Sequence, residues 1–505
     1  MRHGGGDPSQ WFVLSTFTTM PVNMEYGFHW LLMPFTVGDL FVGGKLAAIV
    51  GMTVFAVVCW WILTRLGIGA PALWSAAGLV ASPVFFHGMT QLRPSLLTTS
   101  LLVLGLYGLV ARRWLFVGVV VAGWTWLHHG YPLLLGAIGL YAALELIRRR
   151  TVNWQLLAAT AGGWLVGLAC HPTPLWYTRL LFLHLYAHVR VSLLGTPLPF
   201  ATELRPWSWG AVGEGGLILL YLANTLWLWR HLRSRRGRSH AADAELFLWI
   251  VLTVVWALAL RHYRFIDYLV PVTTLTTAYL WRRPWGLLRK SQHRFATQLI
   301  RHGAVSSRVV TWLLGDPSRL MSAVTLVFVL TGGAYATALA TEASVILDAS
   351  LEEPRRVGEW LGAHTPRGSV VAQTAWDRFP WLFFYDYDSR FLNGFDPIDS
   401  YLANPRLFWR WFHLVRHGTW CNDAACPPDV DTPHDLAQAA AQLLREEFHT
   451  DYLVLFRSQS SPAFSVLADD ARFFEPVFRT PRSAIYRIRP FQRPTLPSSV
   501  RPVAK

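Results

Sequence analysis

Residues 94–150 read PSLLTTSLLVLGLYGLVARRWLFVGVVVAGWTWLHHGYPLLLGAIGLYAALELIRRR. Three apolar runs succeed one another, and the breaks between them alternate in kind: Arg112-Arg113, then His128-His129, then Arg148 to Arg150. An apolar run of about 18 residues suits a membrane-crossing helix, and Lys and Arg collect in the cytoplasmic loops. The stretch therefore predicts helices running up and down through a bilayer, with arginine at the inner turns and histidine at the outer ones.

The same pattern extends in both directions. Candidate spans fall near 43–64, 69–87, 94–111, 114–128, 131–147, 152–170, 211–229, 245–260, 265–281 and 320–341, with Arg65, the cluster Arg230 to Arg238 and the basic stretch Arg282 to Arg319 at further inner turns. Every second connection is arginine-rich, which orients the chain. The predicted fold is a polytopic α-helical membrane protein of about ten spans with a C-terminal external α/β domain. It divides into an external first loop with short interfacial helices (1–42), a transmembrane domain (43–342) and the external domain (343–505). The connection 282–319, with Trp285, Leu287, Leu288, Phe295 and Leu299 among arginines, reads as a helix lying on the inner leaflet.

Composition excludes the other broad classes. Of the 505 residues 53% are hydrophobic and only 15% charged, whereas soluble domains carry roughly 25% charge. A soluble enzyme is excluded, and so is a disordered chain, which lacks apolar surface to bury. The net charge of +15 is almost all arginine, with lysine only at Lys45, Lys290 and Lys505. Its placement in inner loops accounts for it without a nucleic-acid partner. Met1 to Ser9 lacks the basic and apolar regions of a signal peptide. A chain that starts outside without a preceding span implies either a translocated tail or a further upstream helix.

Past residue 350 the pattern changes. A helical stretch Glu352 to Ala363, a strand Ser369 to Gln373, an aromatic segment Trp376 to Tyr385, a helix Ala437 to Glu447, a strand Tyr452 to Phe456 and a last strand near Ala484 to Ile488 predict a small α/β domain. The four cysteines form no C-x-x-C or Cys/His zinc pattern. Cys421 and Cys426 share a polar loop outside the cytoplasm, where disulfides persist, and are expected to pair.

Ionisable residues gather at the outer ends of the spans: His3, Asp7, Glu25 and His29, then His87 and Arg93, His128 and His129, His171, and Arg261, His262, Arg264 and Asp267. Polar groups at membrane depth are costly and usually face a cavity. Each alone is explained by interfacial water at a helix end; the grouping over several spans predicts a polar cavity opening outward, lined by Glu25, His29, Arg93, His128, His129 and His171. Arg261 and Arg264 either bind a lipid phosphate bidentately or snorkel to outer headgroups. Asp7, in Gly6-Asp7-Pro8-Ser9-Gln10-Trp11-Phe12, is either a helix cap or a carboxylate held at the outer face.

An acidic residue in a first external loop, short interfacial helices after it, a polytopic body and an external α/β domain together resemble the plan of the GT-C class of membrane glycosyltransferases. Gly6-Asp7-Pro8 with Trp11-Phe12 resembles the Asp-Pro motif of the oligosaccharyltransferase first loop. The run Thr365 to Val371 followed by Trp376-Asp377-Arg378-Phe379-Pro380 is similar to the opening of that enzyme's soluble domain, and Asn393-Gly394-Phe395-Asp396-Pro397 looks like bacterial relatives. The resemblance implies transfer of a sugar from a polyprenyl-phosphate-linked donor to an envelope acceptor, at the outer face of a bacterial inner membrane. It implies Asp7 as catalytic base, Arg261 and Arg264 as donor-phosphate ligands, and Trp376 with Asp377 on the acceptor side; a divalent metal is compatible with it. The full Trp-Trp-Asp-Tyr-Gly acceptor motif is absent, and Asp386-Tyr387-Asp388 lies in the soluble domain rather than a membrane loop. The class's first helix is also missing, in line with an upstream helix. A transporter or lipid flippase, or a non-catalytic scaffold of the same shape, are the alternatives; a transporter would place its charges near the midplane and show related halves.

Overall fold

A computed structural model describes residues 10–194, 215–234, 240–282, 338, 352–394, 396–426 and 433–490. Asp7, His3, the connection over 283–319 and nearly all of the span predicted at 320–341 lie outside the described residues. The chain divides into two compact units: a helical one (Met24–Pro174, Glu203–Ala343) and an α/β one (Met1–Asn23, Leu175–Thr202, Ser344–Lys505).

The helical unit contains α1 (Tyr26–Leu32), α2 (Leu40–Arg65), α3 (Pro71–Val80), α4 (Pro83–Thr90), α5 (Ser95–Val110), α6 (Trp114–Leu127), α7 (Pro132–Arg149) and α8 (Trp154–Ala169). Beyond the long helix α9 (Pro174–Leu194) come α10 (Gly215–Ser234), α11 (His240–Arg261) and α12 (Ile266–Leu280). Among the described residues, α2 and α11 are long and apolar enough to cross a membrane. Helices α5, α6, α8 and the stretch Leu217–Arg230 are apolar but shorter.

The span predicted over 69–87 is not one helix. It is α3 and α4, bent by 85°. The Ser82 hydroxyl accepts from Phe85 N at 3.0 Å, and Pro83 stands at the first helical position, so the chain starts a new helix where the apolar run continues. Helices α6 and α8 pack through small residues. A Cβ on Gly167 would lie 2.6 Å from the Ala122 carbonyl, and one on Gly118 would lie 2.5 Å from that of Ala159, so only glycine permits the backbone approach. Helix α12 is buried on nearly every side, Asp267 included, and forms the unit's core.

In the α/β unit the helix over 352–364, α13, precedes β1 (Val370–Gln373). The chain continues through α14 (Phe379–Tyr385), β2 (Arg390–Phe391), α15 (Pro397–Ala403), α16 (Pro405–His417), α17 (Leu436–Gln442), β3 (Tyr452–Phe456), α18 (Pro462–Ala468), β4 (Phe474–Arg479) and β5 (Ser483–Ile488). The sheet order is β2-β1-β3-β5-β4. Strand β1 is parallel to both neighbours, with Val371 opposite Phe391 and Tyr452; β5 is antiparallel to β3 and β4. Strands β1 and β3 are buried along their whole length, as expected of central strands covered on both faces. Trp411, Phe448, Phe464, Phe474 and Tyr486 fill the core.

The predicted strands at 369–373, 452–456 and 484–488 are β1, β3 and β5. Strands β2 and β4 were not foreseen: β2 has two residues, and β4 contains Pro476 and a register irregularity there, which suits an edge but obscures the alternation.

The start of the first loop joins this unit. Phe12 bridges Phe391 in parallel, Phe391 N donates to Trp11 O at 2.7 Å, and Leu14 N donates to Leu392 O at 2.8 Å. Arg390 Nη2 donates to Phe12 O and Ser400 Oγ to Leu14 O. The segment thus pairs with the β2 edge through an isolated bridge. The loop predicted as one external piece over 1–42 accordingly contributes to both units, dividing between Asn23 and Met24.

Candidate functional site

Polar groups from five connections of the helical unit converge. Glu25 directly precedes α1 and His29 lies on it. Helix α1 seats closely on α6: a Cβ on Gly27 would meet Trp126 at 2.7 Å. His128 ends α6, its backbone N–H donating to Trp124 O at 2.9 Å. Arg93 lies between α4 and α5, and Arg264 in the 3-10 turn Tyr263–Phe265 between α11 and α12.

The Glu25 carboxylate is the centre. Its Oε1 is 3.8 Å from His128 Nε2 and its Oε2 is 3.8 Å from His29 Nε2. The His128 and His129 rings lie 4.1 Å apart, and Tyr26 carries His171 at 5.6 Å between ring centres. Dense protein around Glu25 disfavours its charged form and lifts its pKa to about 7, against the opposing pull of Arg264 and Arg93. The side chain nevertheless keeps 31% of its surface, so the recess is open on one side. Tyr268 closes another, its hydroxyl 3.2 Å from Thr98 Oγ1. A Cβ on Gly130 would stand 2.8 Å from His128 Nδ1 and 3.4 Å from the Tyr268 hydroxyl.

Glu25, His128 and His129 each offer a donor atom within 4.8 Å of the others, so a cation is the first ligand to test. His128 does not fit through Nε2. Its Nδ1 accepts the Gly130 N–H at 2.8 Å, which leaves a neutral ring with its proton on Nε2, facing Glu25 rather than offering a lone pair. As arranged, the trio is an imidazole–carboxylate pair with a second histidine ring tilted against it.

Of the residues expected to line an outer cavity, Glu25, His29, Arg93, His128 and His129 come together, and His171 reaches them through Tyr26. The two expected phosphate ligands differ in setting: Arg264 acts on Glu25 and Tyr268, whereas Arg261 ends α11 and is exposed. Trp376 and Asp377 form a 3-10 turn after β1, where exposed Asp377 accepts from Gln459 Nε2 at 3.1 Å. The expected disulfide is absent: Cys421 and Cys426 are free thiols. The Cys421 thiol is buried and directed to the carbonyls of Asp423 and Ala425, at 3.6 and 3.9 Å. Desolvation by the surrounding loop and the neighbouring Cys421 thiol push the pKa of exposed Cys426 up, so the loop holds the two thiols as neighbours.

Sequence reasoning missed a cluster in the α/β unit. Buried Asp399, in the first turn of α15, accepts from Thr16 Oγ1 at 2.7 Å and pairs with His184 Nε2 of α9 at 2.9 Å on the same oxygen. Burial opposes the charged His184 ring, but Asp399 and Asp396 outweigh it and hold its pKa above the ordinary value. The three residues stand hundreds of positions apart, and no spacing links them.

Comparison with solved structures decides the architecture. The archaeal oligosaccharyltransferase AglB from Archaeoglobus fulgidus, in complex with an inhibitory peptide and a dolichol-phosphate, aligns over 92% of this chain and 64% of its own length, at 12% identity and a TM-score of 0.54. The chain has a GT-C-like fold. The same archaeal enzyme tethered to an acceptor peptide aligns at a TM-score of 0.55 and 11% identity, over 96% of this chain and 69% of that one. ArnT from Cupriavidus metallidurans in the apo state aligns at 0.50 and 14% identity, over 95% and 93%. The GT-C-like chain thus spans about two thirds of the archaeal enzyme and nearly all of ArnT. No protein-family profile matches it, and no curated protein matches it by sequence.

Proposed function

We propose that this chain is a polytopic membrane glycosyltransferase of about ten spans that moves a sugar from a polyprenyl-phosphate-linked donor to an envelope acceptor, at the outer face of a bacterial inner membrane. The observation that carries the reading is the convergence of Glu25, His128, Arg93 and Arg264 in one recess of a GT-C-like fold. AglB, solved with dolichol-phosphate, supports a lipid-phosphate donor.

The roles follow from charge. Sugar transfer from a lipid phosphate develops negative charge on the departing phosphate oxygens, which planar guanidinium groups stabilise through paired hydrogen bonds. Arg264 and Arg93 fill that role, with Arg261 three residues upstream of Arg264 as a further phosphate ligand. The acceptor's proton needs a carboxylate at the point of attack. Asp7 takes it, the carboxylate that the resemblance of Gly6-Asp7-Pro8 to the first-loop motif implies as base. Glu25, with a pKa near 7, orients His128 and His29, and Trp376 with Asp377 contact the acceptor.

The test is transfer of radiolabelled sugar from a polyprenyl-phosphate donor by the purified chain in nanodiscs. Wild-type transfer that drops at least a hundredfold in Asp7→Asn, with the fold retained, supports the reading; full activity in that variant removes Asp7 as base. Substrate-dependent accumulation inside vesicles without transfer would identify a transporter instead.

A further inference from the structure

The turn between α5 and α6, the end of α7 and the start of α11 enclose a small cavity of about 20 Å³ lined by Arg112, Tyr141, Glu145, Arg149, His240 and Asp243. It belongs to the helical unit, at the ends that arginine placement assigns to the cytoplasm. Arg112 Nη2 pairs with buried Glu145 at 3.1 Å, while Arg148 and Arg149 both pair with Asp243 at 2.6 Å. Three guanidinium groups against two carboxylates leave one positive charge.

His240 stands between two of those arginines. Arg112 Nη1 donates toward its Nδ1 at 2.8 Å, and Arg149 Nη1 donates toward its Nε2 at 3.0 Å. A neutral imidazole has one lone pair and one N–H, and a protonated one has no lone pair. Whichever tautomer is present, at least one guanidinium N–H therefore faces another donor, and among the described residues the arrangement offers it no acceptor. His240 is exposed as a residue at the start of α11, so its side chain has solvent to turn into.

A further feature fits an anion held at a membrane surface. Arg112 takes the left-handed position that caps α5 (φ +55°), with Arg113 N donating to Gly108 O at 2.8 Å. The Arg112 guanidinium lies 5.4 Å from the Trp114 ring, which in turn packs on Tyr141 at 5.8 Å; Trp and Tyr favour the headgroup level.

We propose that this cavity is a phosphate-anion site in which an oxyanion of single negative charge replaces the His240 ring between Arg112 and Arg149. A phosphodiester matches the surplus charge, and basic pockets between helices at the cytoplasmic surface bind such headgroups. The phosphate of an inner-leaflet lipid and free inorganic phosphate share this chemistry.

The full chain in phosphatidylcholine nanodiscs distinguishes them, using added phosphatidylglycerol followed by native mass spectrometry, and inorganic phosphate followed by thermal unfolding against chloride of equal ionic strength. Arg112→Gln and Arg149→Gln should each weaken binding about tenfold, whereas His240→Ala should bind at least as tightly as wild type. This pattern with phosphatidylglycerol assigns a lipid headgroup; with inorganic phosphate alone it assigns the free anion. A structural ion-pair network predicts the opposite for His240→Ala, so equal loss in that variant, or no binding of either probe by wild type, overturns the proposal. Should the arginine variants not fold, the His240→Ala result decides alone.

Discussion

The recess of the helical unit and the sheet of the α/β unit are both assembled from distant parts of the chain, yet they are encoded differently. Strands β1 and β3 are runs of consecutive buried residues, Val370 to Gln373 and Tyr452 to Phe456, so neighbours in sequence report on one another. The recess takes one or two residues from each of five connections. A glutamate before a helix and a histidine after one have interfacial water as their ordinary environment. Apolar packing is thus written redundantly in the local sequence, whereas a polar site is written once per residue.

If that contrast holds, the two regions should fail differently when altered. The largest effect belongs to the sheet. Phe391 is fully buried and anchors the first-loop segment, so Phe391→Ala should cost about 3–5 kcal/mol, read from denaturant unfolding of the α/β unit's tryptophans. A loss near zero would mean that the edge is not part of the core.

Next comes the recess, where function should suffer and the fold should not. Arg264→Lys keeps the charge but loses the planar fork. Donor KM should rise by roughly one to two decades, equivalent to about 1.5–3 kcal/mol, with thermal unfolding unchanged. Near-wild-type donor KM would reject the phosphate role and leave the fold untouched.

The Asp399 cluster joins the two kinds of encoding, because it is polar yet structural. Asp399→Asn should destabilise by about 1–3 kcal/mol and release residues 10–18 to hydrogen exchange. Because the folded His184 pKa lies above its ordinary value, its contribution is fully present below the unfolded pKa and is lost as pH rises through the folded one. Wild-type stability should therefore decline over that window, and Asp399→Asn should flatten the decline; an unchanged slope would assign it to other groups.

The smallest effect is expected at the cysteine loop. Maleimide should label exposed Cys426 before buried Cys421, and Cys421→Ser should change stability by only about 1 kcal/mol. Protection of both thiols that is reversed only by a reductant would restore the disulfide expected from the compartment.

Much of the fold was legible beforehand. Helices α2, α5, α6, α7, α8 and α11 lie within a few residues of apolar runs, and β1, β3 and β5 within short β-branched and aromatic ones. The misses have physical causes. Helix α9 carries polar residues on an otherwise apolar pattern, including His184. Strand β4 is interrupted by Pro476, and the break between α3 and α4 turns on a cap formed by one serine hydroxyl.

What the sequence determined by itself is the distribution of apolar surface and positive charge, hence the helical body, the α/β tail and the set of polar residues at the ends of the apolar runs, because burial acts on every residue of a run. Tertiary structure alone decided that Glu25 lies between His128 and His29 with Arg264 acting on it, that Thr16, His184 and Asp399 meet on one oxygen, and that Phe12 enters the sheet. Those contacts depend on distances of a few ångströms between side chains whose separation along the chain carries no information, so they exist only once the packing of the surrounding helices and strands is complete.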